Sequence, residues 1–264
     1  MLTLVRRSSA RLAKVFAAIA SLLFCFQLVI IAVAASFVGT NSFESLAGIK
    51  LPPFIRMFGM SRASFSGMAM YGYYEPLAVM LVVQLAIYVA TEPAGDVDAG
   101  LVDLVLARPL PRRHLITRSV ALTIAVTAGL MLAMGSGTWI GLTWLSPAGA
   151  APPAWRTIGM LMVHLAFLAV AFGCVALAAA AWSERRGTAQ GAVAIVAVAS
   201  YLVDIVGEGW SRAQPVARLF PFHYYHGNAI IFGDARPILD LSVFAAIAVV
   251  TASAAYWRFG RRDL

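Results

Sequence analysis

Charged side chains are scarce in this sequence, and their scarcity excludes most soluble folds. Only 12% of its 264 residues are Asp, Glu, Lys or Arg, and 61% are hydrophobic, whereas a soluble domain carries about 25% charged residues. Backbone groups inside a bilayer must hydrogen-bond within helices or a closed barrel. Because the apolar runs are far longer than the ~10-residue strands of a barrel, we predict an all-α integral membrane protein.

Lysine is almost absent, which bears on nucleotide binding. A phosphate-binding loop needs Gly-Lys followed by Ser or Thr. Lys14 precedes Val15 and Lys50 precedes Leu51, so neither fits, and we expect any ATPase to be a separate chain.

Cysteine is also rare. Cys25 and Cys174 both lie in apolar runs, which indicates small core side chains rather than a disulfide or metal pair.

The apolar stretches predict six transmembrane helices in one domain, residues 1–264. Their approximate ranges are 15–38, 69–91, 119–145, 157–182, 187–206 and 238–257. The first run is too long for an ordinary signal peptide, so we expect an uncleaved helix. Residues 219–233 are apolar, but they contain Pro221 and are short for a span. We interpret that segment as interfacial or re-entrant.

Arginine placement predicts the orientation, because cytoplasmic loops of membrane proteins carry the excess of Lys and Arg. With a cytoplasmic N-terminus, thirteen of the 20 basic residues fall inside and seven outside, which favours both termini in the cytoplasm. The same bias explains the net charge of +8. No basic stretch interleaved with aromatics is present, so we expect no nucleic-acid partner.

The loop after the second span predicts a short cytoplasmic helix at 94–107. Val97, Leu101, Leu104 and Val105 recur at helical spacing and form one apolar face. Asp96 and Asp103 fall on other faces, and the Arg108-Pro109 pair marks a stop. Helices that lie on membrane surfaces are usually basic. An acidic helix with an apolar stripe instead favours docking to a partner protein.

This loop, from Glu92 through GLVDLVLARPLPR (100–112), resembles the first cytoplasmic loop of ABC-2 type transporter permeases. The Arg-Arg-Asp ending at 261–263, the basic N-terminal entry, the Pro221–Tyr225 loop and the six-span plan are similar as well. The resemblance covers essentially the whole chain, and the joint order of these short motifs carries it.

The resemblance implies a permease subunit of an ATP-binding-cassette transporter, an exporter in a bacterial-type inner (plasma) membrane. Its implied partners are an ABC ATP-binding subunit, a second permease subunit, identical or different, and membrane lipid. ATP and Mg²⁺ would bind the ATPase, so we expect no cofactor, catalytic residue or enzyme activity in this chain. The implied coupling residues are Glu92, Asp96, Val97, Gly100, Leu101, Leu104, Val105, Arg108, Pro109 and Arg112.

Two other functions stay open, an ATP-independent carrier or channel and, less favoured, an intramembrane enzyme. A carrier predicts a polar site at mid-membrane, where charge is almost absent from the sequence. Glu75 and Asp204 could line a substrate path, although both can be wetted span ends. An enzyme would pair Ser136 with His164; we interpret these two residues as packing elements instead.

A His-x-x-His pair, His223 and His226, lies in the last external loop near Asp234. A metal site needs a third ligand at the right distance. Without one in the sequence pattern, we predict an interfacial histidine pair and no metal.

Two glycine pairs predict close helix packing. Gly137 with Gly141 and Gly187 with Gly191 both have small-xxx-small spacing, which lets helix backbones approach where lipid gives no hydrophobic drive.

The coupling helix is tested by Leu101→Asp or Leu104→Asp. A carboxylate in the apolar stripe should abolish capture of the ATPase in a mild-detergent pull-down while the protein stays inserted in the membrane. Ser136→Ala is the control and should behave like wild type. Normal recovery of the ATPase with either aspartate variant would defeat the assignment.

Overall fold

The computed structural model of this protein describes residues 2–38, 64–92, 95, 113–183 and 185–260. Within these ranges the regular structure is entirely helical. The α-helices are α1 (Leu2–Ser36), α2 (Phe65–Ala69), α3 (Pro76–Ala90), α4 (Arg113–Leu145), α5 (Trp155–Trp182), α6 (Arg186–Gly209), α7 (Gln214–Ala217), α8 (Gly227–Phe232) and α9 (Pro237–Gly260). Two 3₁₀ helices span Tyr71–Tyr73 and Pro221–Tyr224.

The prediction of six spans is confirmed by length and composition. Six helical segments are long and apolar enough to cross a membrane: Leu12–Ser36, Phe65–Ala90, Ile116–Leu145, Trp155–Trp182, Arg186–Gly209 and Pro237–Phe259. The largest difference is at the second span, predicted to begin at 69 and observed to begin at 65. The chain is therefore a multi-pass membrane protein; the side on which its termini lie stays a prediction.

The second span is broken rather than being one continuous helix. After α2, residues Tyr71–Tyr73 form a 3₁₀ helix, and α3 begins at Pro76. Proline lacks an N–H and suits the first helical turn. The carboxylate of Glu75 then caps α3, because its Oε2 accepts a hydrogen bond from the amide of Ala78 at 2.8 Å. Proline and its cap thus start a new helix inside the apolar run.

Helix α5 occupies the centre of the bundle. It packs against α3, α4, α6 and α9. Much of its surface consists of small or branched apolar side chains, and Ala169, Ala171 and Ala176 are completely buried. Around α5, the ends of α3 and α6 line one cavity, and the start of α9 lines a second.

The two glycine pairs behave differently. A Cβ added at Gly137 would lie 2.7 Å from the main-chain oxygen of Phe24, and one at Gly141 would lie 2.7 Å from Ile31. The first pair therefore permits the close contact of α4 with α1. Around Gly187 and Gly191, no described residue lies within 4 Å of such a Cβ. The second prediction is thus not met by any contact among the described residues.

We expect Gly137→Ala to destabilise the protein, because the carbonyl that its methyl group meets is backbone and cannot rotate away. The cost should be about 1–3 kcal/mol, as for other overpacked sites. Gly191→Ala is the matched control and should be neutral or slightly stabilising, since alanine is the better helix former. Thermal unfolding in detergent compares the two. Equal melting temperatures for both variants and wild type would contradict the packing assignment.

Candidate functional site

The loop that contains Pro221–Tyr224 enters the helix bundle. The Phe222 ring, 2% exposed, lies 5.5 Å from the rings of both Phe172 and Tyr201. The Phe222 amide donates a hydrogen bond to Ser200 Oγ at 3.2 Å. Ser200 is nine residues from the end of α6 at Gly209, or roughly 14 Å along the helix axis. The loop therefore enters the helix bundle between α5 and α6, and we call it the re-entrant loop in that sense. Its position relative to the membrane stays a prediction.

A second hydrogen bond holds the loop against the broken second span. The Tyr225 hydroxyl donates to the main-chain oxygen of Tyr73 at 2.6 Å. The Tyr73 hydroxyl in turn is 2.8 Å from the hydroxyl of Thr138 on α4. Burial raises the pKa of Tyr225 above its usual value, so this hydroxyl stays protonated and keeps donating. The loop is thus connected through the second span to α4.

The inserted loop brings two histidines to a carboxylate of α6. Asp204 is 8% exposed, and its Oδ1 lies 3.1 Å from Nδ1 of His223. The rings of His223 and His226 are nearly perpendicular, with centroids 5.3 Å apart. One potential ligand atom from each of the three residues lies within 4.8 Å of the other two. Glu208 extends the cluster, because its Oε1 is 3.9 Å from Nε2 of His226.

Burial favours the uncharged form of one of these histidines. Desolvation lowers the pKa of His226, against the attraction of Asp204. A histidine whose pKa falls on folding stabilises the fold above its unfolded pKa, and that contribution is lost as the pH falls through its folded pKa.

A cavity of ≈360 Å³ opens beside the cluster. Its lining residues come from the second span, α6, the re-entrant loop and α8, and they include Tyr71, Tyr201, Asp204, Glu208 and His226. Asp204, one of the two residues proposed for a substrate path, lines this cavity; its role in a path stays a prediction. Glu75, the other residue predicted for that path, caps α3.

Sequence reasoning missed the third member of the histidine cluster. Asp234, the acidic residue noted near the pair in the sequence, lines the cavity but is outside the three-residue group. Asp204 precedes His223 by nineteen residues and belongs to a different helix. The sequence signal that points to Asp204 is its position, because it is an acidic residue close to the end of a span, where charge is costly.

Among the described residues, no hydrogen bond joins Ser136 to His164, the two residues of the hydrolase alternative. Ser136 is exposed on α4, and its hydroxyl donates to the Ala133 carbonyl at 2.8 Å. His164 is buried on α5 with its Nδ1 2.8 Å from the Met160 carbonyl, and its Nε2 has no partner among the described residues. Neither nitrogen is paired with the serine.

At the other end of the bundle, Arg186 joins the second span to α6. Its Nη2 donates to the Tyr88 carbonyl at 2.8 Å, and its guanidinium carbon lies 4.4 Å from the centroid of the Tyr88 ring. A Cβ at Gly95 would lie 2.8 Å from Arg186 Cδ, so the arginine packs closely on this glycine. One side chain therefore contacts both the end of α3 and the start of the loop that follows it.

Most of the predicted coupling helix lies outside the described residues. Glu92 is described, at the beginning of the loop. Asp96, Val97, Gly100, Leu101, Leu104, Val105, Arg108, Pro109 and Arg112 are not among the residues that the structure describes.

Comparison with known proteins gives no relatives. No family model, curated protein or solved structure matches the chain.

The seating of the loop is tested by Tyr225→Phe. Losing this hydroxyl leaves the buried Tyr73 carbonyl without its donor, which should cost about 1–3 kcal/mol. Hydrogen exchange of peptides covering 219–232 should speed up. Tyr224→Phe is the control, because the Tyr224 hydroxyl bonds the Arg218 carbonyl at an exposed position. If both variants exchange like wild type, the Tyr225 contact does not hold the loop.

Proposed function

We propose that this chain is the membrane-spanning permease subunit of an ABC-2 type ATP-binding-cassette transporter, working as an exporter in a bacterial-type inner membrane. Both termini are cytoplasmic, a second permease subunit completes the pathway, and separate ABC subunits bind ATP and Mg²⁺. The resemblance of residues 92–112 supports this proposal, and the six apolar spans are compatible with it.

The Arg186 contact is the structural observation that carries the proposal furthest. A coupling helix can act only if its displacement reaches the spans. Arg186 is the first residue of α6 and holds the Tyr88 carbonyl while packing on Gly95. Movement of the loop is therefore passed directly to α6. The ATPase supplies the difference in contact energy between its two states, and only that difference can shift the permease.

Helix α6 connects the two ends of the bundle. Its 24 residues correspond to about 36 Å of helix. Arg186 begins the helix, and Ser200 and Asp204 lie in its other half, against the re-entrant loop. A tilt of α6 imposed at the Arg186 end must therefore move one wall of the cavity at the Asp204 end. This arrangement fits a transporter whose energy source and substrate site lie on opposite sides of the membrane.

An ATP-independent carrier is the second candidate, favoured by the carboxylates of Asp204 and Glu208 in the cavity lining. Such a carrier would use that cavity without an ATPase. A pull-down of the tagged protein from its native membrane distinguishes the two. Recovery of an ATP-binding subunit supports the permease, and its absence under several mild detergents favours the carrier.

The mechanical link is tested in the purified complex by Arg186→Gln. In wild type we expect ATP to alter hydrogen exchange in peptides covering 219–232, at the far end of α6. Without the guanidinium, the ATPase should still co-purify, since its docking helix is intact, but more than half of that ATP-dependent change should disappear.

Arg185→Gln is the matched control, because Arg185 is the neighbouring arginine and is exposed. It should keep the full ATP-dependent change. An intact response in Arg186→Gln, or an equal loss in both variants, would contradict the proposed link.

A further inference from the structure

We propose that Asp204, His223 and His226 form a binding site for a divalent transition-metal ion of the zinc type, with Glu208 as the fourth ligand. The site does not depend on the permease proposal, because it is built entirely from contacts between α6 and the re-entrant loop.

The spacing of the ligand atoms suits such an ion. Two ligands bound at about 2.1 Å to a tetrahedral zinc ion lie about 3.4 Å apart. The Oδ1 of Asp204 and the Nδ1 of His223 are 3.1 Å apart, and all three ligand atoms lie within 4.8 Å of one another. A bound ion would draw the more distant atoms closer by rotation of their side chains. Rotation of Glu208, whose Oε1 is 3.9 Å from Nε2 of His226, would supply the fourth ligand.

The donor atoms select the class of metal. Two imidazole nitrogens with carboxylate oxygens are typical ligands of zinc and of neighbouring transition metals. Calcium and magnesium prefer all-oxygen sites, which two histidines do not provide. When both carboxylates are ionised on metal binding, Asp204 and Glu208 together bring two negative charges, which match the charge of a divalent ion.

The site is preorganised by a hydrogen bond at the residue before each of its histidines. The Phe222 amide is bonded to Ser200, and the Tyr225 hydroxyl is bonded to the Tyr73 carbonyl. Phe222 directly precedes His223, and Tyr225 directly precedes His226, so each bond restrains the backbone next to one ligand. A ligand set held in place before the ion arrives costs less ordering entropy on binding.

The surroundings allow an ion to reach the cluster. The cavity of ≈360 Å³ includes Asp204, Glu208 and His226 in its lining. His223 and His226 also line a neighbouring cavity of ≈420 Å³, in which Arg218 and Arg236 are accompanied by Asp234 and Asp240. The two arginines are matched by two aspartates, so this side presents no excess of positive charge to a cation.

Burial gives a reason for the carboxylate to hold a cation. Asp204 is 8% exposed and lies within a candidate span, where an ionised side chain is costly unless it is paired. Its hydrogen bond to His223 satisfies it in part. A metal ion at the same point would replace a single hydrogen bond with a coordinate bond and cross-link α6 to the loop.

The experiment measures zinc binding to the full-length chain, purified in mild detergent with a tag free of histidine and treated with chelator. Titration against a fluorescent zinc chelator gives the affinity and stoichiometry. We expect one ion per chain in wild type. His223→Ala, His226→Ala and Asp204→Asn should each weaken binding about tenfold or more, the scale seen when metal sites lose supporting groups.

Two control variants change the same residue types elsewhere. His114 lies in the first turn of α4, and Asp234 lines both cavities without belonging to the three-residue cluster. His114→Ala and Asp234→Asn should bind zinc like wild type. In wild type, zinc should also slow hydrogen exchange in peptides covering 219–232, because the ion cross-links the loop to α6.

His226→Cys keeps the proposal testable even if the alanine variants fold poorly. A thiolate is also a good ligand for such ions, so Co²⁺ bound to this variant should show a thiolate-to-metal absorption band that wild type lacks. The proposal is overturned if wild type binds no zinc at about 100 μM, a concentration far above the dissociation constants of protein zinc sites. It is also overturned if the ligand variants bind like wild type, if the controls lose as much affinity, or if His226→Cys shows no such band.

Discussion

The hydrogen bond from the Phe222 amide to Ser200 fixes the depth of the re-entrant loop, and the site at that end of the bundle depends on it. Non-helical backbone inside a membrane protein must find partners in the protein, because lipid offers none. Ser200 provides one within α6, and the Phe222 ring fills the space between Phe172 and Tyr201. His223 follows directly and therefore reaches Asp204, one turn further along the same helix.

Helix α6 contributes to two sites, one near each of its ends, that have no residue in common. At one end Arg186 contacts Tyr88 and Gly95, and near the other end Asp204 contacts the loop. An ion bound to Asp204 and the two histidines would hold the loop to this helix, and a helix displaced from the Arg186 end would pull on the same ligands. Ion binding at Asp204 and displacement of α6 from the Arg186 end would then influence each other through one rigid helix. Such coupling is reciprocal by thermodynamic necessity.

The spans could be predicted from the sequence because burial in lipid demands long apolar runs, whereas contacts between spans leave no comparable local pattern. Hydropathy did not show that Pro76, with its cap Glu75, restarts the second span. The pairs Gly137–Gly141 and Gly187–Gly191 have the same spacing, yet a described neighbour contacts the first pair alone. The contact between Asp204 and His223 depends on the path of the loop, which neither the periodicity nor the spacing of the sequence predicts.

The central position of α5 has a consequence for how the protein is made. Helices enter the membrane in chain order, and α5 packs on α3 and α4, which precede it, and on α6 and α9, which follow. Its contact with α9 is the most extensive in the bundle. Until α9 is inserted, part of the face that ends up buried must lie against lipid or an insertion factor. Packing around α5 is therefore completed only when α9 has left the ribosome.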